Sequence, residues 1–145
     1  GGFAFACPVG VGSPLSVVIE HMGYLTACKT TAVPVDQTVD LGSVTLLGGD
    51  VAGPQVAATR AAGCPGEQTI AMPGLPDGRI NIIDLTFVSS RFGTVAADPE
   101  WQPSPDGCHP EWISGRGDIN GDGQVNIFDI VQVGNNFGAY GPLVW

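Results

Sequence analysis

The sequence predicts an α+β fold, in which a partial antiparallel β-sandwich precedes two calcium-binding loops with one short helix each. Three observations predict it: strand-like runs near the N-terminus, an Asp- and Asn-rich loop of twelve residues, and a second copy of that loop's rear half. The 22 glycines and 12 prolines among 145 residues fit a loop-rich chain that contains β-structure. A charged fraction of 13% and a positive mean hydropathy argue against disorder.

Four segments before residue 49 are predicted to be strands. They show partial alternation of apolar and polar residues and are bounded by Gly, Pro and Asp-Gln turns. These segments are 2–7, 15–21, 24–30 and 38–47. Residues 1–48 therefore form the predicted β part of the molecule.

Residues 118–129 read as an EF-hand-type calcium loop. The ligands that this spacing predicts are Asp118, Asn120 and Asp122 at positions 1, 3 and 5, the Gln124 carbonyl at 7, Asn126 at 9 and Asp129 at 12. Gly121 and Gly123 allow the sharp turn that brings these oxygens to one side. Position 12 carries Asp instead of the usual Glu, so its carboxylate reaches one methylene less far. The alternative is an Asx-rich turn without metal.

The rear half of this loop and the following helix occur twice. Residues 77–93 match residues 122–138 at a constant offset of 45, and each copy ends in Phe-Gly, where the Gly suits a helix C-cap. Each copy is therefore predicted to be half a calcium loop followed by a short helix.

The front half of the first loop is found upstream, which predicts an insertion inside it. Residues 49–53 have the register of residues 117–121, so residues 54–76 would interrupt the loop. The predicted ligands are Asp50 at position 1, Asp77 at 5, the Arg79 carbonyl at 7, Asn81 at 9 and Asp84 at 12. Position 3 is Ala52, so one ligand would come from water, a backbone carbonyl or the insertion, where Glu67 is the nearest acid. The alternative is a degenerate loop that folds without metal.

Residues 49–138 resemble a dockerin, a pair of loop–helix repeats that each bind calcium and carry Asp at the last loop position. On this resemblance the domain has insertions at 54–76 and 94–117, followed by an apolar tail at 139–145. It implies two calcium ions and docking onto a cohesin-bearing scaffold, with loop positions 10 and 11 reading the partner. Those positions are apolar in both copies: Ile82 and Ile83, then Ile127 and Phe128.

Residues 1–48 resemble the later strands of a carboxypeptidase-regulatory-like β-sandwich. The strands that precede them in that family are missing here, which predicts a partial sandwich with an open edge and exposed apolar faces. The tail folds back onto its own chain, or else the tail or the N-terminal strand adds to the open sheet of a neighbouring subunit. Repeated strand addition of the second kind is head-to-tail and builds a filament.

The cysteines Cys7, Cys28, Cys64 and Cys108 contain no C-x-x-C pair, which makes a zinc site improbable. Of the three possible connectivities we expect Cys7–Cys28 and Cys64–Cys108, the second joining the two insertions. Disulfides and calcium loops together indicate an extracellular or cell-surface protein. The chain shows neither a secretory signal nor a membrane-spanning stretch, which a mature, processed form explains most simply.

The charge and the motifs exclude several function classes. The formal charge is −9, from 14 acids against 5 scattered bases, which does not suit nucleic acid. Two calcium ions would remove about four of those charges. An enzyme is not expected, because His21 and His109 have no partner at a metal or catalytic spacing. The leading hypothesis is a calcium-stabilised structural or assembly subunit of a secreted or cell-surface homo-polymer. The alternative is a dockerin processed from a larger protein, with a cohesin-like partner.

Overall fold

The computed structural model describes residues 14–32, 34 and 39–144 and shows an α+β arrangement of short elements. Two single-turn 3₁₀ segments, Pro99–Trp101 and Ser114–Gly117, lie between the two helices. The elements in chain order are β1 (Pro14–Ile19), β2 (Gly23–Tyr24), β3 (Ala27–Ala32), β4 (Gly48–Asp50), β5 (Gly53–Thr59), β6 (Thr69–Gly74), α1 (Ile82–Ser90), α2 (Ile127–Asn135) and β7 (Leu143–Val144).

Among the described residues the strands form three small sheets, which is compatible with a partial β-sandwich. One sheet has the order β1-β3-β7, with β1 antiparallel and β7 parallel to β3, and β2 pairs with β4. The predicted strand 24–30 is interrupted at Leu25, because this side chain is fully buried and its N–H donates to Leu47 O (2.9 Å) instead of a neighbouring strand. The apolar tail pairs Ala27 with Leu143 of the same chain.

The predicted strand 38–47 is wrong over residues 39–47, which contain no strand. Gly42 has φ +74°, and its N–H donates to Asp40 Oδ1 (2.8 Å), so the chain turns here instead of extending. The predicted strand 2–7 and Trp145 lie outside the described residues. The predicted Cys7–Cys28 bond lies partly outside them because Cys7 does, and Cys28 forms no disulfide with a described residue.

One hydrophobic core joins the N-terminal part to both repeats. It includes Leu25 from the N-terminal part, Ile80 and Val88 from the first repeat, and Val125 and Val133 from the second. The helices α1 and α2 pack against each other and against β4. The two loop–helix units are therefore held in one compact body.

The insertion 54–76 forms the hairpin of β5 and β6, which pair antiparallel from Gly53–Gly74 to Thr59–Thr69. Both residues of the first pair are glycine for a steric reason, since a Cβ at either would lie 2.3 Å from a backbone oxygen across the pair. The predicted disulfide Cys64–Cys108 is confirmed, with Cα atoms 5.3 Å apart, and it joins the hairpin to the segment between the repeats.

Candidate metal centres

The second loop is wound around the carboxylate of Asp118. Its Oδ1 accepts the N–H groups of Gly121 (2.8 Å) and Asp122 (3.1 Å), and its Oδ2 accepts that of Gly123 (2.9 Å). These bonds fix the turn that the glycines permit. Gly121 and Gly123 have φ +76° and +85°, so the predicted sharp turn is present.

The middle of this loop brings three further oxygen-bearing side chains together. Asp122 Oδ2 accepts the side-chain amides of Asn126 (3.0 Å) and Asn120 (3.1 Å). These two hydrogen bonds, from Asn126 first and then Asn120, lower the pKa of Asp122, so this exposed carboxyl is held ionised. The loop thus concentrates anionic and amide oxygens on a tight turn.

The loop ends in a capping box that starts α2. Asn126 accepts the Phe128 N–H (2.8 Å) as N-cap, while Asp129 Oδ2 accepts the Asn126 N–H (2.8 Å). The other oxygen of Asp129 accepts the N–H groups of Ile119 (2.8 Å) and Asn120 (3.2 Å). A fully buried carboxylate therefore ties both ends of the loop together.

The first loop repeats this pattern across the inserted hairpin. Asp50 accepts the N–H groups of Asp77 (3.1 Å) and Gly78 (3.0 Å), although 27 residues separate Asp50 from Asp77 in sequence. The structure therefore brings together the two halves of the loop that the sequence register predicts.

The end of the first loop also matches the second. Asp84 Oδ1 accepts the N–H groups of Val51 (2.8 Å) and Ala52 (2.9 Å), and its Oδ2 accepts that of Asn81 (2.8 Å). Asn81 in turn caps α1 by accepting the Ile83 N–H (2.8 Å). Position by position, Asp84 and Asn81 do in the first loop what Asp129 and Asn126 do in the second.

The first loop carries buried, mutually repelling carboxylates. Burial, and then the nearby charge of Asp84, raise the pKa of Asp50 to about 6, against the lowering effect of its bonds to Gly78 and Asp77. Burial is also the main cause that raises the pKa of Asp84. Such a site is stabilised by any cation that enters it.

Position 3 of the first loop lacks a side-chain ligand, as the sequence predicts. Ala52 at position 3 is fully buried and offers no side-chain oxygen. Glu67 lies beyond the Thr59–Thr69 pair, at the opposite end of the hairpin from Gly53, so it is not placed to supply the missing ligand. The helices also end earlier than the Phe-Gly pairs suggest, with C-caps at Arg91 and Asn136, although Gly93 and Gly138 keep positive φ.

Sequence reasoning missed Arg116, which lies against the first loop. Its Nη2 donates to the carbonyls of Val51 and Gly74 (2.7 Å to the latter), and its guanidinium stands over the Phe87 ring at 5.3 Å. Burial lowers the pKa of Arg116, while Asp50 and Asp84 act in the opposite direction. The sequence feature that could have drawn attention to Arg116 is the scarcity of basic residues, because the chain has only 5 Lys and Arg residues.

The donor set suits a hard, oxygen-seeking cation. Among the described residues, no three His, Cys, Asp or Glu side chains group closely enough to hold a metal by themselves. An ion in either loop would therefore also need amide and backbone carbonyl oxygens, which is the ligand preference of calcium rather than zinc. The Gln124 carbonyl of the second loop and the Arg79 carbonyl of the first stay predicted ligands.

The start of each helix presents apolar side chains to solvent. Ile82 is 60% exposed on α1, and Ile127 and Phe128 are 54% and 67% exposed on α2. Ile83 differs, because it packs against the core. We call Ile82, Ile127 and Phe128 the helix-start residues. Apolar side chains of this size exposed at equivalent positions of two repeats are typical of an interaction surface.

The remaining candidate residues, His109 and Trp101, make packing contacts that are typical of structural residues. His109 stacks on Trp112 with ring centroids 4.0 Å apart and contacts Glu111 Oε1 at 3.1 Å, and Glu111 also pairs with Arg60 at 3.0 Å. Trp101 packs against the core. Within the described residues, no helix is both long and apolar enough to cross a bilayer.

No protein-family model matches the chain, and neither does any curated protein sequence. The similar solved structures include two type II cohesin–X–dockerin complexes from Acetivibrio cellulolyticus. The N-terminal interface mutant matches at TM-score 0.52 and 22% identity, covering 91% of this chain and 67% of that one. The C-terminal interface mutant matches at TM-score 0.50 and 24% identity, covering 92% and 67%. At this identity the likeness establishes a shared fold, that of a module from a cohesin–X–dockerin assembly.

Proposed function

We propose that this chain is a calcium-stabilised extracellular interaction module, dockerin-like over residues 49–138, that docks onto a cohesin-type partner. The observation that carries the proposal is the duplicated loop geometry. Two loops with the same hydrogen-bond pattern each end in a capped helix that exposes apolar side chains in its first turn. The solved complexes, which contain cohesin and X-dockerin modules, support the class of partner.

Calcium would be held by the predicted ligand oxygens of the two loops. In the second loop these are Asp118, Asn120, Asp122, the Gln124 carbonyl, Asn126 and Asp129, and in the first they are Asp50, Asp77, the Arg79 carbonyl, Asn81 and Asp84. When bound, calcium supplies positive charge to three carboxylates in each loop. Both helices begin inside these loops, so metal binding and the order of the helix starts are coupled.

The helix-start residues would supply the apolar centre of the docking surface. Burying Ile82, Ile127 and Phe128 against a partner removes large apolar areas from water, at about 25 cal/mol per Å². A few such anchors carry most of the energy of a typical interface. The disulfide Cys64–Cys108 supports an oxidising, extracellular setting.

Assembly into a homo-polymer by strand addition is the second candidate. One observation favours it: β1 is an edge strand of its sheet and has no second strand neighbour among the described residues. Donation of the tail to a neighbouring subunit is disfavoured, because β7 already pairs with β3 of its own chain. Polymerisation would therefore use the β1 edge, or it would require β7 to leave its own sheet.

Light scattering and calorimetry test the two candidates together. The purified chain is measured in calcium and in excess chelator, and then titrated with a panel of type I and type II cohesins. We expect a monomer of about the 14.9 kDa chain mass that binds a cohesin only in calcium. A large assembly in calcium that binds no cohesin would favour the polymer.

A matched pair of variants locates the docking surface. Phe128→Ala should weaken cohesin binding at least about tenfold, since it removes a central apolar anchor. Phe137→Ala removes a similarly exposed phenylalanine, 53% against 67%, that lies just beyond the C-cap Asn136 of the same helix, and it should leave binding unchanged. Equal effects of the two substitutions would place the surface elsewhere.

A further inference from the structure

The position-2 carbonyls of the two loops receive donors of different charge from outside the loops. In the first loop the Val51 carbonyl accepts the guanidinium of Arg116. In the second loop the equivalent Ile119 carbonyl accepts the hydroxyl of Tyr24 (3.1 Å). The two loops therefore share one contact but differ in its chemistry, because one donor is a cation and the other is neutral.

Arg116 also spans the interruption in the first loop. Val51 precedes the hairpin of β5 and β6, whereas Gly74 ends it, and the same Nη2 donates to the carbonyls of both. The Phe87 ring supports the guanidinium from one side. Arg116 is thus held in place by the two sides of the split loop and by α1.

The charge of Arg116 acts on the carboxylates of the first loop. Asp50 and Asp84 are 3% and 0% exposed, and both interact electrostatically with this guanidinium. Buried carboxylates are costly unless a cation or hydrogen bonds compensate them. Of the cations among the described residues, only Arg116 is found bonded to either loop's position-2 carbonyl, and the second loop has Tyr24 in that place.

We propose that Arg116 is a resident cation of the first loop, which keeps that loop ordered without calcium while the second loop opens. The inference rests on the proposed calcium function. If Arg116 has this role, the two repeats differ in how much order they lose when calcium is removed. Loss of calcium would disorder the start of α2, with Ile127 and Phe128, and leave Ile82 on an ordered α1.

Amide hydrogen exchange on the intact wild-type chain tests this directly. Samples in calcium and in excess chelator are compared by NMR. The informative amides are Val51, Ala52, Asp77 and Gly78 for the first loop and Ile119, Asn120, Asp122 and Gly123 for the second. We expect chelation to speed exchange of the second set at least about tenfold more than the first. Equal acceleration of both sets, or greater acceleration of the first, would overturn the proposal.

Arg116→Met supplies the second test, because methionine keeps an apolar stem against Phe87 and removes the charge. In chelator the first loop of this variant should lose its exchange protection, and calcium should restore it. Arg91→Met is the matched control, since the Arg91 guanidinium stands over the same ring at 5.8 Å, and it should behave as wild type. Arg116→Lys, which keeps a cation, should recover part of the protection. A first loop that stays protected in Arg116→Met without calcium would contradict the proposal.

Calcium titration of the wild type distinguishes an error in the proposed calcium function from an error in the proposed role of Arg116. If the chain binds no calcium, the calcium part of the proposed function is wrong. If it binds two ions and both loops respond alike to chelation, only the role of Arg116 is wrong. In the Arg116→Met variant the stabilisation by calcium should exceed that in wild type, because calcium then supplies compensation that Arg116 no longer provides.

Discussion

At the scale of single residues, the aspartates at loop positions 1 and 12 serve two purposes. Asp118 and Asp129 are predicted calcium ligands, and they also accept six backbone N–H groups between them. Where such an N–H is buried, as that of Ile119 is, the loss of its acceptor costs about 1–3 kcal/mol. These side chains should therefore matter for folding even before metal is considered.

Replacement of either aspartate should unfold the second repeat. Asp118→Ala or Asp129→Ala removes a predicted anionic ligand, orphans three N–H groups and should lower stability by about 2–4 kcal/mol in excess calcium. Thermal unfolding followed by circular dichroism measures this. Glu67→Ala, at the exposed far end of the hairpin, is the control and should unfold as wild type does. Unchanged melting of Asp118→Ala in calcium would count against the site.

Asp50 makes the calcium-free protein sensitive to pH. Its pKa rises from 3.8 to about 6 on folding, so the folded protein binds a proton more tightly than the unfolded chain does. The resulting stabilisation is complete below about pH 3.8 and is lost as the pH rises through about 6. Calcium should reverse this dependence, because the metal binds the ionised carboxylate.

Comparison with Asp50→Asn isolates this contribution. Asparagine cannot titrate, so in chelator the melting temperature of wild type, relative to that of the variant, should fall between pH 5 and pH 7.5. In excess calcium the melting temperature of wild type, relative to that of the variant, should rise as the pH rises. Parallel pH profiles of the two proteins in chelator would show that Asp50 is not the titrating group.

At the scale of elements, the hairpin of β5 and β6 is an addition to a loop that remains complete without it. Removal of residues 54–76 would join Gly53 to Asp77 and give Asp-Val-Ala-Gly-Asp-Gly, against Asp-Ile-Asn-Gly-Asp-Gly in the second loop. The paired Gly53 and Gly74 already hold the two ends of the insertion together. The deletion therefore requires little rearrangement of the backbone.

We expect the deletion variant to fold and to bind two calcium ions. Cys108→Ser accompanies it, since Cys64 is removed with the hairpin, and the Cys64→Ser, Cys108→Ser double variant serves as the control. Adding Ala52→Asn restores a side-chain oxygen at position 3 and should tighten the first site at least about tenfold. Isothermal titration calorimetry measures both effects. A single bound ion in the deletion variant would mean that the hairpin completes the first site.

What the sequence could predict was set by local spacing. The loop aspartates and asparagines follow a fixed order, so the positions of Asp118 to Asp129 could be read directly, and Asp50 from its matching front half. Arg116 and Tyr24 could not be found this way, because they reach Val51 and Ile119 across 65 and 95 residues of sequence. Contacts of this kind depend on how the elements pack, and no local pattern records them.

The error at residues 39–47 has a different origin. The alternating apolar residues there resemble a strand, but Asp40 and Gly42 form a local turn that local periodicity does not reveal. Leu47 still packs against the core, and its carbonyl accepts the Leu25 N–H. Leu47 is thus packed against the core by a backbone that is not a strand.

At the scale of the whole molecule, an acidic chain folds around two groups of carboxylates. The formal charge is −9, and each loop contributes three aspartates to it. One core joins both repeats to Leu25 of the N-terminal part, so repulsion in either loop opposes the folding of the whole body. Calcium relieves this repulsion locally, whereas salt can relieve it only by screening.

The two forms of the protein should therefore respond differently to sodium chloride. Raising the salt from 0.1 M to 1 M shortens the screening length from about 10 Å to about 3 Å, so the chelated protein should melt at a clearly higher temperature. The calcium-loaded protein should change much less, because its loop charges are already compensated. Differential scanning calorimetry at both salt concentrations measures this. An Asp118→Asn, Asp122→Asn variant removes two negative charges from the second loop and should show a smaller salt response in chelator than wild type. If calcium-loaded and chelated proteins gain the same stability from salt, the loops are not where the repulsion lies, and the two aspartate clusters would be ordinary capped turns.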